Sequence, residues 1–370
     1  MASDPAARAG AVLEIDLGAI TANWRLLARR AAPAQCAAVV KANAYGLGAA
    51  PVAKALAAAG CRLFFVATLD EAIALRAALG PEPEIAVFNG PFAGTAPEFA
   101  AHGLIPVLNE PGQIEAWKTQ APAPAILHVD TGMSRLGLSA REFAALGDDL
   151  RKCAIPWRAV ISHLACADTP DHGLNEQQRA RFAAAVQRIP GIPASLAASS
   201  GIFLGPAYHF DFVRPGAALY GVNPQPGGAN PMRQTVRLSG KILQVREIDR
   251  GESVGYGAAH VMQKPGRVAT VAVGYADGWL RSLSQRGCGY IGGKRIPLLG
   301  RVSMDLVSFD VSAIDPAQAH PGAAVELLGA RSGVDDAATD AGTIGYEILT
   351  ALGARYHRIY RDSSATSPPE

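Results

Sequence analysis

The stretch Cys36–Pro51, CAAVVKANAYGLGAAP, contains a strand–loop–helix unit whose pattern recurs along much of the chain. Its apolar run Ala37–Val40 predicts a buried strand. Lys41 stands at the carboxyl end of this run and is followed by a polar, glycine-rich loop. The alanine-rich segment Ala49–Ala59 has the composition of a helix. The unit therefore predicts an α/β protein with a lysine at the mouth of a sheet.

Lys41 is the chemically distinctive residue of this unit. An amine beside the Tyr45 phenol, loop N–H groups and a helix N-terminus suits covalent attachment of an aldehyde that carries a phosphate. Two other interpretations stay open at this point. Lys41 can be a solvated residue at a strand end, and the glycines at 46 and 48 are typical of a dinucleotide loop. The third glycine of that loop is missing, because Pro51 occupies its place.

Composition limits the class of protein. The chain has 370 residues, of which 49% are hydrophobic and 18% charged, so a large core and two domains are expected. A net charge of +2 without a basic run argues against nucleic acid as a partner. Five scattered cysteines predict reduced thiols, and the sequence shows neither a signal peptide nor a membrane-spanning run. We expect a soluble, cytoplasmic protein without membrane contact.

Apolar runs alternate with helical segments from this unit to about residue 213. Eight such runs in so short a length predict a closed (β/α)8 barrel of the TIM type. An open doubly wound sheet is the alternative. Before the first of these runs, Asp16 is placed to cap a helix that begins at Leu17. The eight runs are Ala37–Val40, Leu63–Ala67, Ile85–Phe88, Leu104–Leu108, Ile126–Val129, Ala159–Leu164, Ala194–Ala198 and Phe210–Val213.

The pattern becomes strand-rich after Tyr220. The segment Asn223–Pro231, NPQPGGANP, is typical of a linker, and the alternating Val236–Ile248 predicts a strand. Further short strands and one helix near Thr343–Gly353 predict a second, mainly β domain. We expect the barrel at residues 12–232, the β-rich domain at 233–362 and a disordered tail at 363–370.

Polar residues end or follow most of the eight runs. The carboxyl ends of barrel strands share one face, where the loops build the active site. We therefore expect a single site that contains Lys41, Asn89, Asp130, Arg135, His163, Ser199 and Arg214.

Several of these side chains have a predictable chemistry. Arg135, in DTGMSRLG, can hold a carboxylate or a phenolate oxygen. Arg214 can donate to a ring nitrogen, unless it pairs with an acid, and Gly216 lets backbone N–H groups approach a phosphate. Ser199, in AASSG, is a candidate phosphate ligand, because no G-x-S-x-G elbow marks it as a nucleophile.

Two further motifs need separate treatment. Ile161–Gly173, ISHLACADTPDHG, carries possible metal ligands at spacings that match no standard zinc pattern, so we predict no metal and expect His163 to pack against a cofactor ring. Tyr275, in VGYADGW, follows an apolar strand and precedes an Asp-Gly turn. A phenol there can act as an acid or base beside an arginine, although a packed aromatic is the alternative.

Together the motifs resemble those of the alanine racemase family, the fold-type III enzymes that use pyridoxal 5'-phosphate. The resemblance runs from about Leu13 to Tyr360 through VKANAYGLG, DTGMSRLG, ISHLACAD, the block from AASSG to DFVRPGAALYG, VGYADGW and GRVSMDL. It implies a (β/α)8 barrel followed by a β domain that takes up the first strand, residues 12–16. It also implies a head-to-tail homodimer in which the partner's β domain completes each active site.

The same resemblance implies how the cofactor is held. Lys41 would bind it covalently, Arg214 would face the pyridine nitrogen, and His163 would lie near the ring. Arg135 would contact the phenolate oxygen of the cofactor. The phosphate contacts would come from Tyr45, Ser199, Gly216 and Ala217.

The resemblance also implies the reaction, which interconverts L-alanine and D-alanine and supplies D-alanine for peptidoglycan. Lys41 would be the base for the D-isomer and Tyr275, from the partner subunit, the base for the L-isomer. Arg135 and the backbone N–H of the partner's Met304 would hold the substrate carboxylate. A broader racemase, for example for serine, a fold-type III decarboxylase and a non-catalytic pyridoxal-phosphate carrier are the alternatives.

Three regions depart from the family pattern. Many members have a carbamylated lysine where this chain has His128, so the imidazole, a chloride or a water would replace it. Ala354 occupies the place of a tyrosine near the C-terminal phosphate contact, with Tyr356 close by. The entrance residues near Tyr256–His260 also differ, which leaves the strictness for alanine open.

Overall fold

In a computed structural model, residues 4–120, 123–147, 150 and 153–363 are described. The chain divides into two compact units. One unit consists of residues 20–233. The other joins the N-terminal residues up to Ala19 to the chain from Gln234 onward.

Within the described residues, the unit of residues 20–233 contains a parallel sheet whose seven strands lie side by side in the order in which they occur along the chain. A further strand, Phe212–Val213, pairs in parallel with Gln35–Cys36. The Arg214 N–H donates to the Ala197 carbonyl at 2.9 Å, which joins this strand to the last strand of the sheet. The ladder therefore closes, and the predicted barrel is confirmed over the open sheet. The strands of the sheet are Ala38–Val39, Leu63–Val66, Glu84–Val87, Ile105–Leu108, Ala125–His128, Trp157–Ile161 and Ala194–Ser195.

Helices cover the strands from outside, which is why strand residues are apolar without alternation. All four residues of Leu63–Val66, for example, are buried. The predicted cap is present, since the Ala19 N–H donates to Asp16 Oδ1 at 2.9 Å. The helices around the strands are Leu17–Ala31, Ala49–Ala58, Leu69–Leu79, Ala96–Ala101, Pro111–Gln120, Ala140–Leu146 and Leu174–Arg188.

The second unit is built on the long strand Val236–Ile248. This strand pairs antiparallel with Ala11–Asp16, Ala324–Leu328 and Gly266–Val271. The first strand of the chain therefore lies in this sheet, where it also pairs in parallel with His357–Arg361. The remaining strands are Cys288–Ile291, Lys294–Leu299 and Val307–Asp310, with a small hairpin of Ser253–Val254 and His260–Val261.

The helix predicted near 343–353 is present as Gly345–Ala351, but a second helix, Val334–Ala341, precedes it and was not predicted. Gly342 separates them in a left-handed conformation, with φ of 71°. The first helix is short, and the serine, glycine and aspartate residues clustered at its start are typical of a loop, which hid it.

No helix in the described part of the chain is long and apolar enough to cross a membrane. Ser363 is the one described residue of the predicted tail, and its hydroxyl donates to Asp16 Oδ1 at 2.9 Å. The rest of that tail lies outside the described residues.

An ion pair joins two strands of the barrel at their amino-terminal ends. Glu84 begins the strand Glu84–Val87, and two further strands separate it from Arg158 in the sheet. The Arg158 guanidinium donates through Nε to Oε1 and through Nη2 to Oε2, each at 2.8 Å. This end of a barrel serves stability, because the active site is built at the other end.

We predict that Arg158→Lys lowers the Tm by about 2–4 °C and leaves turnover unchanged. Lysine keeps the charge but loses the two-pronged contact. Calorimetry and steady-state kinetics would test this, with Arg141→Lys, an exposed arginine, as the control. A loss of turnover at an unchanged Tm would contradict the assignment.

Candidate active site

Lys41 is followed by a turn of reversed hand. Residues 42–45 all have positive φ angles, between 52° and 55°. The Gly46 N–H donates to the Ala42 carbonyl at 2.8 Å, so the turn has helical hydrogen bonding with left-handed geometry. Each residue with a side chain costs about 1–2 kcal/mol in this conformation. The sequence predicted a loop here but not its hand, because none of the four residues is glycine.

The Lys41 amine lies among apolar and positive groups. Its Nζ is 5.8 Å from the centroid of the Phe88 ring. Burial lowers the pKa of Lys41, and Arg135 lowers it further, while Glu71 acts in the opposite direction. A lower pKa increases the fraction of free amine, which is the form that attacks an aldehyde.

The four predicted phosphate contacts lie together. Ser199 Oγ accepts the N–H groups of Gly216 and Ala218, both at 3.1 Å, so the hydroxyl hydrogen remains available to an anion. A Cβ at Gly216 would stand 2.4 Å from the Tyr45 hydroxyl oxygen, so any larger residue there would displace the phenol. The Ala217 N–H has no acceptor among the described residues. A phenol, a hydroxyl and backbone N–H groups thus form a cradle that suits a phosphate.

Tyr220 supports this cradle and was not predicted from the sequence. Its ring centroid lies 4.8 Å from that of Tyr45, and its hydroxyl donates to the Val39 carbonyl at 2.9 Å. It thereby ties Tyr45 to the strand that precedes Lys41. The sequence signal was weak, since Tyr220 appears there only as one apolar residue of the segment AALYG.

Arg214 is buried and is held by neutral groups. It is 2% exposed, and Nη1 donates to the Ser195 carbonyl at 2.8 Å while Nη2 donates to the Ser162 carbonyl at 2.6 Å. Burial lowers the pKa of Arg214 to about 9, which leaves it protonated at neutral pH. None of its contacts in the described residues is with a carboxylate, so the alternative in which an acid pairs with Arg214 is not supported.

Two histidines at the barrel mouth are neutral. Burial and the nearby Arg214 lower the pKa of His163 to about 3 and that of His128 to about 4. The Asn109 amide nitrogen donates to two carbonyls, at 2.9 and 3.0 Å, which directs its oxygen toward His128 Nδ1, 2.8 Å away. This network assigns the proton to Nδ1 and leaves Nε2 as an acceptor. A neutral imidazole therefore occupies position 128, where the resemblance implied a departure from the family pattern.

The charge at this face is mainly positive. Lys41, Arg135 and Arg214 act on one another or on the two histidines. The Asp130 carboxylate serves its own loop, where it accepts the N–H groups of residues 132, 133 and 134 at 2.8–2.9 Å. The Asn89 carbonyl likewise serves a loop, accepting from a glutamine side chain. Such a site attracts a ligand with several negative charges.

Tyr275 and Met304 belong to the other unit, where they lie side by side. The Tyr275 N–H donates to the Ser303 carbonyl at 3.0 Å, and the Ala276 N–H donates to the Met304 carbonyl at 2.9 Å. Gly274 allows this approach, since a Cβ there would stand 2.3 Å from the Met304 oxygen. Tyr275 is 42% and Met304 54% exposed. The Met304 N–H has no acceptor among the described residues, so this unit presents a phenol and an available N–H together.

Arg355 holds the two loops that carry these residues. Its Nε lies 3.0 Å from Asp277 Oδ1, and its Nη1 lies 2.7 Å from Asp305 Oδ1. Asp277 in turn accepts the Gly274 N–H at 2.8 Å. Tyr356, which stands close to the predicted C-terminal phosphate contact, is buried, and its hydroxyl has no hydrogen-bond partner in the described residues.

In the described part of the chain, no group of three or more histidine, cysteine, aspartate or glutamate side chains is placed to hold a metal ion.

The chain matches known families over nearly its whole length. Residues 15–224 match the sequence model of the alanine racemase N-terminal domain, and residues 235–360 match that of the C-terminal domain. An alanine racemase of Rhodospirillum rubrum is 54% identical over 360 residues, which cover 95% of this chain and 96% of that protein. A catabolic alanine racemase of Mesorhizobium japonicum is 52% identical, over 96% of this chain and 94% of that protein.

A solved structure has the same fold. The crystal structure of alanine racemase from Bartonella henselae, with covalently bound pyridoxal phosphate, is 43% identical and superposes with a TM-score of 0.91. The superposition covers 95% of this chain and 100% of that chain.

We predict that His128 and His163 stay neutral down to about pH 5. Their pKa values, about 4 and about 3, lie below the value of about 6.5 for an unfolded histidine. They therefore stabilise the fold above pH 6.5, and this contribution is lost as the pH falls from about 6.5 towards 4. NMR of the imidazole rings would show constant shifts from about pH 8 to pH 5, while added free histidine titrates.

His128→Gln and His163→Gln would assign the two signals in that experiment. A signal of either residue that moves with a midpoint near 6.5 would contradict the neutral assignment.

Proposed function

The chain belongs to the alanine racemase family, as its six motifs predicted, and we propose that it interconverts L-alanine and D-alanine by a two-base exchange of the Cα proton. Lys41 and Tyr275 are the two bases of this proposal. The alternatives of a decarboxylase and of a non-catalytic carrier are not favoured, because the relatives that match 95% of the chain or more are alanine racemases.

The observation that carries the proposal is the combination, within one unit, of an amine of lowered pKa, a cradle that suits a phosphate and an arginine that contacts no carboxylate among the described residues. Pyridoxal 5'-phosphate fits these groups. Lys41 would hold its aldehyde carbon, the cradle of Tyr45, Ser199, Gly216 and Ala217 its phosphate, and Arg214 its ring nitrogen. When bound, the cofactor draws electrons from the Cα of an attached amino acid and so acidifies its proton.

The two bases act on opposite faces of Cα. Lys41 removes the proton from D-alanine, and Tyr275 of a second copy removes it from L-alanine. Each residue returns a proton to its own face when the other has removed one, so the configuration inverts. Arg135 and the Met304 N–H hold the carboxylate, which keeps Cα between the two bases.

Arg214 limits side reactions in this scheme. Its guanidinium keeps its own proton, so it would donate a hydrogen bond to the ring nitrogen of the cofactor without protonating it. An unprotonated ring would draw less charge from Cα than a protonated one. Lys41 and Tyr275 would therefore return the proton quickly to Cα, which disfavours transamination.

We further propose a homodimer in which each copy supplies Tyr275 and Met304 to the other. Support comes from the exposure of both side chains and from the Met304 N–H, which has no acceptor in the described residues. A cytoplasmic location is proposed because the five cysteines of the chain, all of them described, are free. Assays with alanine and serine would establish the breadth of the substrate range.

Tyr275→Phe is expected to suppress Cα deuterium exchange from L-alanine by about 100-fold or more, with a much smaller loss from D-alanine. Removing the phenol removes one base only, so the two isomers respond differently. NMR of each isomer in heavy water measures the two rates, with Tyr360→Phe as the control. Equal losses for the two isomers would contradict the two-base assignment.

Hybrid dimers test the shared site. Lys41→Ala and Tyr275→Phe are each expected to be inactive, and their mixture is expected to recover about a quarter of the wild-type activity, because half of the dimers then contain one intact site. Differently tagged copies would verify subunit exchange. No recovery after verified exchange would contradict the sharing of Tyr275.

A further inference from the structure

Glu71 joins the left-handed turn to the next strand–helix loop of the barrel. Its Oε1 accepts the N–H of Ala42, the residue directly after Lys41, at 2.6 Å. Its Oε2 accepts the N–H groups of Ala67 at 2.8 Å and Thr68 at 3.3 Å. One carboxylate therefore connects the loops that follow two neighbouring strands.

The turn needs such an external contact. The first N–H groups of a helical turn have no partner within the turn, and Ala42 donates to Glu71 instead. Strained backbone persists only where the surrounding structure holds it. Both oxygens of the carboxylate are used, and hydrogen bonds to a charged acceptor are stronger than neutral ones.

Glu71 is itself firmly placed. It lies in the first turn of the helix Leu69–Leu79, and its own N–H donates to Thr68 Oγ1 at 3.3 Å in a capping box. The strand Ala38–Val39 also pairs with Leu63–Val66, the strand before this helix. The helix and both strands thus give the carboxylate a fixed position relative to Lys41.

The charge of Glu71 reaches the same amine. Arg135 lowers the pKa of Lys41 and Glu71 raises it, and the neutral His163 also interacts with the amine. Glu71 is therefore the acidic group that opposes Arg135 at this position.

We propose that Glu71 is a positioning residue for Lys41, which it aims at the substrate by bridging Ala42 to the Ala67–Thr68 loop. This inference rests on the function proposed above, in which Lys41 carries the cofactor and serves D-alanine. Glu71 acts through the backbone of the turn and does not itself touch the reacting atoms.

The test compares Glu71→Gln with the wild-type protein. An amide has one acceptor oxygen, so its nitrogen would face one of the N–H groups that the carboxylate now accepts. We expect the apoprotein of this variant to capture added pyridoxal phosphate about tenfold more slowly, because one charge-assisted hydrogen bond is lost. The rate of capture is measured by the visible absorbance of the bound cofactor. Cα exchange from D-alanine should fall more than exchange from L-alanine, with little change in KM.

The chain supplies a matched control. Glu142 forms a second capping box, in which Oε2 accepts the Ser139 N–H at 2.8 Å, and no hydrogen bond among the described residues joins it to the lysine loop. Glu142→Gln makes the same substitution in a capping box and should leave capture and both exchange rates at their wild-type values. Wild-type capture by Glu71→Gln, or equal loss of exchange from both isomers, would overturn the proposal.

Glu71→Asp separates the effect of the carboxylate's position from the effect of its charge. It is also the variant to use if Glu71→Gln does not fold. The shorter side chain keeps the charge but does not span both loops, so slow capture is expected again. Wild-type capture by this variant would overturn the bridging role. Lys41→Ala distinguishes a failure of the proposed function from a failure of the role of Glu71. A visible band that persists in Lys41→Ala would overturn the proposed function and with it the role of Glu71. If the band is lost in Lys41→Ala but Glu71→Gln captures the cofactor at the wild-type rate, only the role of Glu71 is overturned.

Discussion

The reversed turn at residues 42–45 is the constraint on which the site depends. Four consecutive residues with side chains adopt a conformation that costs each of them about 1–2 kcal/mol. The turn brings Tyr45 against Gly216 and leaves Lys41 beside Phe88, so one local distortion places both an amine and a phosphate contact. Strain of this kind is concentrated at functional sites, where the surrounding structure maintains it.

The charges around Lys41 are the second feature on which the site depends. Lys41, Arg135 and Arg214 share one end of the barrel, while Asp130 is used by its own loop. The imidazoles of His128 and His163 are neutral and therefore do not add to this positive charge. The arrangement favours a phosphorylated cofactor together with a carboxylate substrate, because the negative charge of each balances the positive charge of Lys41, Arg135 and Arg214.

The sequence predicted the barrel because its eight apolar runs stand at regular intervals, and it predicted most polar positions because they end those runs. It did not predict the hand of the turn or the support from Tyr220, since neither leaves a periodic or compositional mark. The helix Val334–Ala341 was hidden by the loop-like cluster of serine, glycine and aspartate residues at its start. The roles of Tyr275 and Met304 came from family resemblance, because no spacing in one chain predicts what a second copy contributes.

The most direct test of the central claim is chemical mapping of the cofactor-loaded protein. Borohydride reduction would fix the cofactor to the amine that holds it, and mass spectrometry of the peptides would locate that amine. The account predicts the added mass on Lys41, at the end of the strand and before the reversed turn. The added mass on Lys54, in the helix that follows, with Lys41 unmodified, would contradict it.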